Sequence, residues 1–230
     1  MTVKDLITNL EALGIGIGST IADGLDRPNI SDPRLCAFIN SGVADLYKVR
    51  PRRGAVVVDL AAVMESDGTV NVYNAITNTA ERARFSRLDG FSVAEEDAEL
   101  YGIMRNAWTG DRLLHIGAMP YVKRIQAENA AITDTSVSPK QLPVTITYRK
   151  KPVDVTVNEL SNGGSETFEI DLDDDIADIL PSYVASNLYL EENEGKAKYY
   201  RSIYETRRSE VVSREYNHPE ASRTVYTNGW

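Results

Sequence analysis

Apolar side chains recur at helical spacing near both ends of the chain and at strand-like spacing in parts of its middle. Val3, Leu6, Ile7, Leu10 and Leu13 share one side of a short amphipathic helix, and Gly14 supplies a residue at which it can stop. After a glycine-punctuated link, Ser31, Asp32 and Pro33 combine a capping side chain with a proline just inside a helix start. The stripe Leu35, Phe38, Ile39, Val43, Leu46 and Tyr47 then carries a second helix as far as Pro51.

From Ala55 the period changes. Residues 55–60 and 69–73 are rich in β-branched side chains and flank an Asp67-Gly68 turn signal, so the pattern predicts a hairpin. Gly90, Gly102, Gly110 and Gly117 divide the next stretch into short pieces, with a helix predicted around residues 94–104 and a strand at 112–116. Residues 144–148 have the composition of a strand, and 153–157 read as its continuation past Lys151-Pro152. Asn162-Gly163-Gly164 is a turn leading to a last short strand at 167–171.

Helical spacing returns near Asp173. Asp174 and Asp175 would sit in a first turn, where carboxylates meet unpaired N–H groups and the positive end of the helix dipole. Pro181 marks the start of a longer helix with Ile179, Leu180, Tyr183, Val184 and Leu188 on its buried side. Residues 191–195 form a bend, and a final helix over about 196–212 carries Ala197, Tyr200, Ile203, Tyr204 and Val211. These patterns predict an α+β fold. A helical layer is formed by both chain ends, residues 1–54 and 172–215, with an antiparallel β-rich lobe inserted at 55–171. Residues 216–230, dominated by polar and turn-forming types, read as an extended tail.

Composition narrows the function. A hydrophobic fraction of 42% fills a core, while 34 acidic against 25 basic residues give a net charge of −9, unsuited to wrapping a DNA duplex. Cys36, the single cysteine, excludes an internal disulfide and any Cys-rich zinc site, and its place on the apolar side of a helix reads as a small buried hydrophobe. No signal peptide is read, and no run approaches the roughly 18 apolar residues of a membrane span. Assembly in a reducing host cytoplasm is expected.

Chemical motifs fall away one by one. Gly14, Gly16 and Gly18 resemble part of a dinucleotide-binding loop, but they follow a helix instead of a strand. Asp171, Asp173 and Asp175 alternate like calcium ligands, yet Ile176 and Ser182 stand where a calcium loop needs glycine and glutamate. His115 lies in an apolar run and His218 in the polar tail, neither within a nucleophile–base constellation. The sequence reads as non-enzymatic, with no cofactor and no metal.

Interaction residues are easier to find. Twelve tyrosines accompany only four phenylalanines, and a rigid apolar ring with a polar tip suits a partly wet contact. Tyr183, Tyr200 and Tyr204 read as core of the helical hairpin, whereas Tyr189, Tyr199, Tyr216, Tyr226 and Trp230 are candidate interface anchors. Lys48, Arg50, Arg52 and Arg53 cluster at a helix end, where the dipole favours them. Arg149, Lys150 and Lys151 form a second basic island suited to an acidic patch on a neighbour.

Two stretches carry a family resemblance. SDPRLCAFINSGVADLYKVRP, and ITYRKKP followed by FEIDLDDDIADILPSYVASNLYLEENEGKAKYYRSIYETRRSEV, resemble the head-to-tail connector, or adaptor, proteins of tailed bacteriophages. The matching positions are Asn40 and Pro51, then Leu180, Pro181, Ala185, Leu188, Glu191, Lys196, Ala197, Tyr200 and Tyr204. The resemblance implies a virion protein of the phage neck, forming a ring of identical subunits, usually twelve. Its partners would be further copies of itself, the portal protein and a neck stopper or tail protein. DNA would pass through the lumen without sequence-specific contacts, and no membrane is involved. The middle lobe is longer than in small all-helical adaptors. The alternatives are another tail or baseplate structural protein, or a carbohydrate- or surface-binding module that uses Trp108 and tyrosines on the lobe.

Overall fold

A computed structural model describes residues 1–15, 32–93, 108–109, 112–115, 119–160 and 167–217. In chain order its elements begin with helices α1 (Val3–Ala12) and α2 (Asp32–Val49), strand β1 (Arg53–Asp59), helix α3 (Leu60–Val63) and strand β2 (Thr69–Asn71). Helices α4 (Val72–Ala75) and α5 (Thr79–Arg84) follow, then strands β3 (Phe85–Val93), β4 (Trp108–Thr109) and β5 (Leu113–His115). Helix α6 (Met119–Ala130), strand β6 (Pro143–Lys150) and helices α7 (Val157–Leu160), α8 (Asp174–Ala177), α9 (Leu180–Leu188) and α10 (Glu194–Asn217) complete the set. The fold is α+β. Its described residues divide into a helical unit, Met1–Pro51 with the chain from Pro152 to Asn217, and a β-rich unit, Arg52–Lys151.

In the helical unit, Thr2 and Asp5 form a reciprocal capping box. The Thr2 hydroxyl accepts from Asp5 N–H at 3.1 Å, and the Asp5 carboxylate accepts from Thr2 N–H at 2.8 Å. Gly14, at φ +81°, takes the left-handed conformation that follows the end of α1. The apolar stripes of α1 and α2 meet those of α9 and α10, so that Leu6, Leu10, Ile39, Leu46, Val184 and Tyr204 are all but inaccessible. Gly42 is required for close approach, since a Cβ there would lie 2.5 Å from Leu180 Cδ1.

The boundary expected at 171/172 falls instead at 151/152. Val155, Ile170 and Leu172 bury their side chains in the helical core, which makes these residues part of the helical unit. Residues 153–157 therefore do not extend a strand: Val155 turns its backbone groups to the side chain of Asn40. Residues 167–171 make only a single antiparallel bridge, Thr2 to Glu169, with Val3 N–H donating to Phe168 O and Ile170 N–H to Met1 O. The final helix is also longer than its apolar stripe suggested and takes in Tyr216, which the tail was expected to hold.

In the β-rich unit one antiparallel sheet has the order β1-β6-β3 and a smaller one the order β2-β5-β4. The hairpin expected between residues 55–60 and 69–73 does not form. Asp59 accepts from Ala61 N–H at 3.1 Å and from Leu142 N–H at 2.9 Å, so the chain turns into α3 and β1 pairs with β6. The Asp67-Gly68 turn is present, with Gly68 at φ +86° and Glu65 N–H donating to Thr69 O, but it leads from α3 into β2. The strand expected at 112–116 is β5, and the helix expected at 94–104 lies outside the described residues. No described helix is long and apolar enough to cross a membrane.

Candidate interaction surface

The helical hairpin is tied to α2 by a polar link. The Tyr204 hydroxyl donates to Asp45 Oδ2 at 2.5 Å, and Arg208 and Lys48 approach the same carboxylate at 3.0 and 3.5 Å. Burial pushes the Asp45 carboxyl up, but the Tyr204 hydrogen bond and the two cations outweigh it and hold the group below the ordinary carboxylate range. Burial, then the hydrogen bond to Asp45 and the Asp45 charge, push the Tyr204 phenol far up, so it stays a protonated donor at any physiological pH. Tyr183 packs edge-on against Tyr204 at 5.0 Å between centroids, and its hydroxyl meets Ser41 Oγ at 2.8 Å. These contacts brace the hairpin, in agreement with a core role for the two tyrosines.

Tyr189 is a correction. It is 7% exposed, stacks on Tyr200 at 5.7 Å, carries the Lys196 ammonium over its ring at 4.7 Å and donates to Gly14 O at 3.3 Å. Its position at the hairpin bend turns it inward, which the helical wheel does not convey. Tyr199 is the opposite case, 63% exposed on α10. Leu190, 64% exposed at the bend, edges an open groove of roughly 530 Å³ between α9 and α10, whose walls include Ala197, Arg201 and Glu205. Leu190 was missed because a lone leucine beside an acidic turn gives no periodic signal. Of the other anchors, the Tyr216 side chain, Tyr226 and Trp230 lie outside the described residues.

The second basic island is mostly occupied internally. Asp89, its side chain only 4% exposed, accepts from Arg53 Nε at 2.5 Å and from Arg149 Nε at 2.7 Å. Burial raises the Asp89 carboxyl, but hydrogen bonding to Arg149 and the charges of both arginines bring it below its ordinary range. Lys150 pairs with Glu81 at 2.6 Å, and this bond holds the Glu81 carboxyl low. Arg149 and Lys150 thus brace the sheet, a correction to their expected role, because β6 is central and directs them to carboxylates of neighbouring elements. Lys151 keeps an exposed side chain.

The alternating aspartates serve separate ends. Asp171, 6% exposed, accepts from the Tyr47 hydroxyl at 2.6 Å and from Val153 N–H at 3.3 Å, whereas Asp173 and Asp175 face Arg50 at 3.9 and 2.8 Å. No group of three His, Cys, Asp or Glu side chains among the described residues is arranged to hold a metal ion. Trp108 and His115 lie on β4 and β5, and their side chains are outside the described set, as are Gly16, Gly18 and His218.

The described surface and fold define a two-unit α+β protein whose helical unit is interrupted in sequence by an antiparallel lobe. No protein-family model matches the chain, and no curated protein matches it.

Proposed function

We propose that the chain is a structural protein of a tailed-phage neck, an adaptor that forms a ring between the portal and the next neck or tail component. The observation that carries this reading is the packing of α2 against the α9–α10 hairpin by the residues on which the resemblance rests. Asn40 donates to Val155 O at 2.9 Å and accepts from Val155 N–H at 2.8 Å, replacing a strand partner with one side chain. Leu180, Pro181, Ala185, Leu188, Ala197 and Tyr204 are buried together, and Glu191 at the bend pairs with Arg34 of α2 at 2.8 Å. Such a bundle is a rigid body that can repeat around an axis.

A closed ring requires two different complementary faces on each subunit. Exposed Tyr199 and Leu190 supply apolar anchors, and the net charge of −9 suits a lumen wall that lets DNA slide instead of holding it. Partners on this reading are further copies of the chain, the portal and a stopper or tail protein. The test is mass spectrometry and averaged electron microscopy of purified particles. A cyclic oligomer beneath the portal is the expected result, and placement in the baseplate would transfer the chain to another structural role. Absence from particles would remove the proposal.

A further inference from the structure

One face of the β1-β6-β3 sheet carries three arginines abreast. Arg53, Arg149 and Arg87 are in register on its three neighbouring strands, and residues paired across strands share a face. Like charges set directly opposite one another repel. Asp89 holds Arg53 and Arg149 to the sheet, whereas Arg87 is exposed and makes no ion pair among the described residues. The row therefore keeps an excess of positive charge in a chain whose net charge is −9. Along the strands the same face continues through Ala55 and Thr147 to Thr145 and Val57, a flat floor on which Val57 is 68% exposed.

We infer that this sheet face receives the acidic hairpin bend of a second copy of the chain, with Glu192 of one copy paired to Arg87 of the next. Charge identifies the partner. Residues 52–151 hold 12 acidic against 13 basic side chains, whereas residues 1–51 and 152–217 hold 21 against 11, so the helical unit of one copy attracts the β-rich unit of another. Within the helical unit the bend offers an apolar anchor beside an unpaired acid. Leu190 is 64% exposed, and Glu192 is exposed and makes no ion pair among the described residues. The competing carboxylates are engaged within their own chain: Glu191 pairs with Arg34, Glu194 with Lys198, and Asp175 with Arg50. Successive same-face residues of a strand stand roughly 7 Å apart, a spacing that the side chains of Leu190 and Glu192 can span. Leu190 then rests on Ala55 and Thr147 while Glu192 reaches the arginine row. No aromatic ring of the paired residues shares this face to stack on bases, which favours a protein over a nucleic acid. The contact rests on the reading of the chain as a self-associating assembly protein, and its two halves differ, as a ring contact requires.

The test is a charge swap in the full chain. Arg87→Glu, Glu192→Arg and the two together are compared with Arg124→Glu, a reversal at another exposed arginine of the β-rich unit. Sedimentation equilibrium of the purified protein and quantitative mass spectrometry of particles supply the two readouts. Each single reversal should weaken self-association, and lower the copies per particle, by about tenfold, and the swap should restore both to within about twofold. Arg124→Glu should change neither. A swap no better than its single variants, or single variants that match Arg124→Glu, overturns the inference. So does a loss on Arg87→Glu confined to retention of a DNA duplex in a mobility-shift assay, which would assign the arginines to nucleic acid. A chain found in the neck at unchanged copy number in every variant refutes this contact alone. Swap-restored association of a purified protein that is absent from particles refutes the neck assignment alone, and absence of both association and incorporation refutes both.

Discussion

Asn40 holds a chain segment that has no secondary structure of its own to hold it. Val155 is 2% exposed, and the Asn40 side chain bonds its N–H and its C=O at 2.8 and 2.9 Å. Asn40→Ala removes two hydrogen bonds worth about 1 kcal/mol each and leaves two buried backbone groups without their partners, for a total loss of about 2–4 kcal/mol. For a unit of this size that corresponds to a fall in Tm of roughly 5–12 °C. Asn40→Asp keeps the acceptor for Val155 N–H but sets an ionised carboxylate against Val155 O, so it should be no better than alanine at neutral pH. Its loss should shrink as acid protonates the carboxyl and restores a donor. Calorimetry and urea unfolding followed at neutral pH and near pH 4 measure both effects. A loss below about 0.5 kcal/mol for Asn40→Ala would refute the clamp, since surface substitutions fall in that range.

The Asp89 bridge predicts a pH-dependent sheet. Its carboxyl is lowered in the fold, so its contribution is complete above the unfolded carboxyl range near pH 4 and is lost as pH falls through the lower folded value. Asp89→Asn should cost about 2–3 kcal/mol at pH 7, less than a fully buried pair because Arg53 is exposed, and should flatten the acid limb of the urea-denaturation profile. Gly42→Ala gains about 1 kcal/mol of helix propensity but forces Leu180 and Tyr183 aside, and a net loss of about 1–2 kcal/mol in chemical denaturation is expected. Tyr199→Ala should leave unfolding within about 0.5 kcal/mol of the parent while reducing incorporation into particles, as scored by quantitative mass spectrometry.

The helices at the chain ends were legible because each buries one continuous stripe. Leu35, Ile39, Val43 and Leu46 keep period along α2, and Pro181 lies in the first turn of α9 where its fixed φ belongs. The sheet was legible only in part. Residues 143–150 alternate cleanly in β6, whereas β3 shifts register at Phe85/Arg87 and Leu88/Gly90, and these irregularities break the period that would have announced it. Helix α6 was missed because it buries little beyond Val122 and Ile125, and because Pro120, which reads with Gly117 as a break, stands in its first turn. The wrong hairpin partner for β1 has a similar source: turn chemistry at Asp67-Gly68 is local, but pairing is decided by contacts more than 80 residues away, as between Asp59 and Leu142. Tyr189 shows the corresponding limit for the interface, since composition identified the tyrosines and only the bend decides which of them turn inward.

The central claim is that this chain is a neck component that surrounds the path of DNA. Averaged electron microscopy of purified particles, with the chain located by its helical unit, tests it most directly. The account predicts a closed ring of the chain, with about twelve copies, directly beneath the portal and contacting the next neck or tail component. Particles that join heads to tails normally while lacking the chain would contradict it.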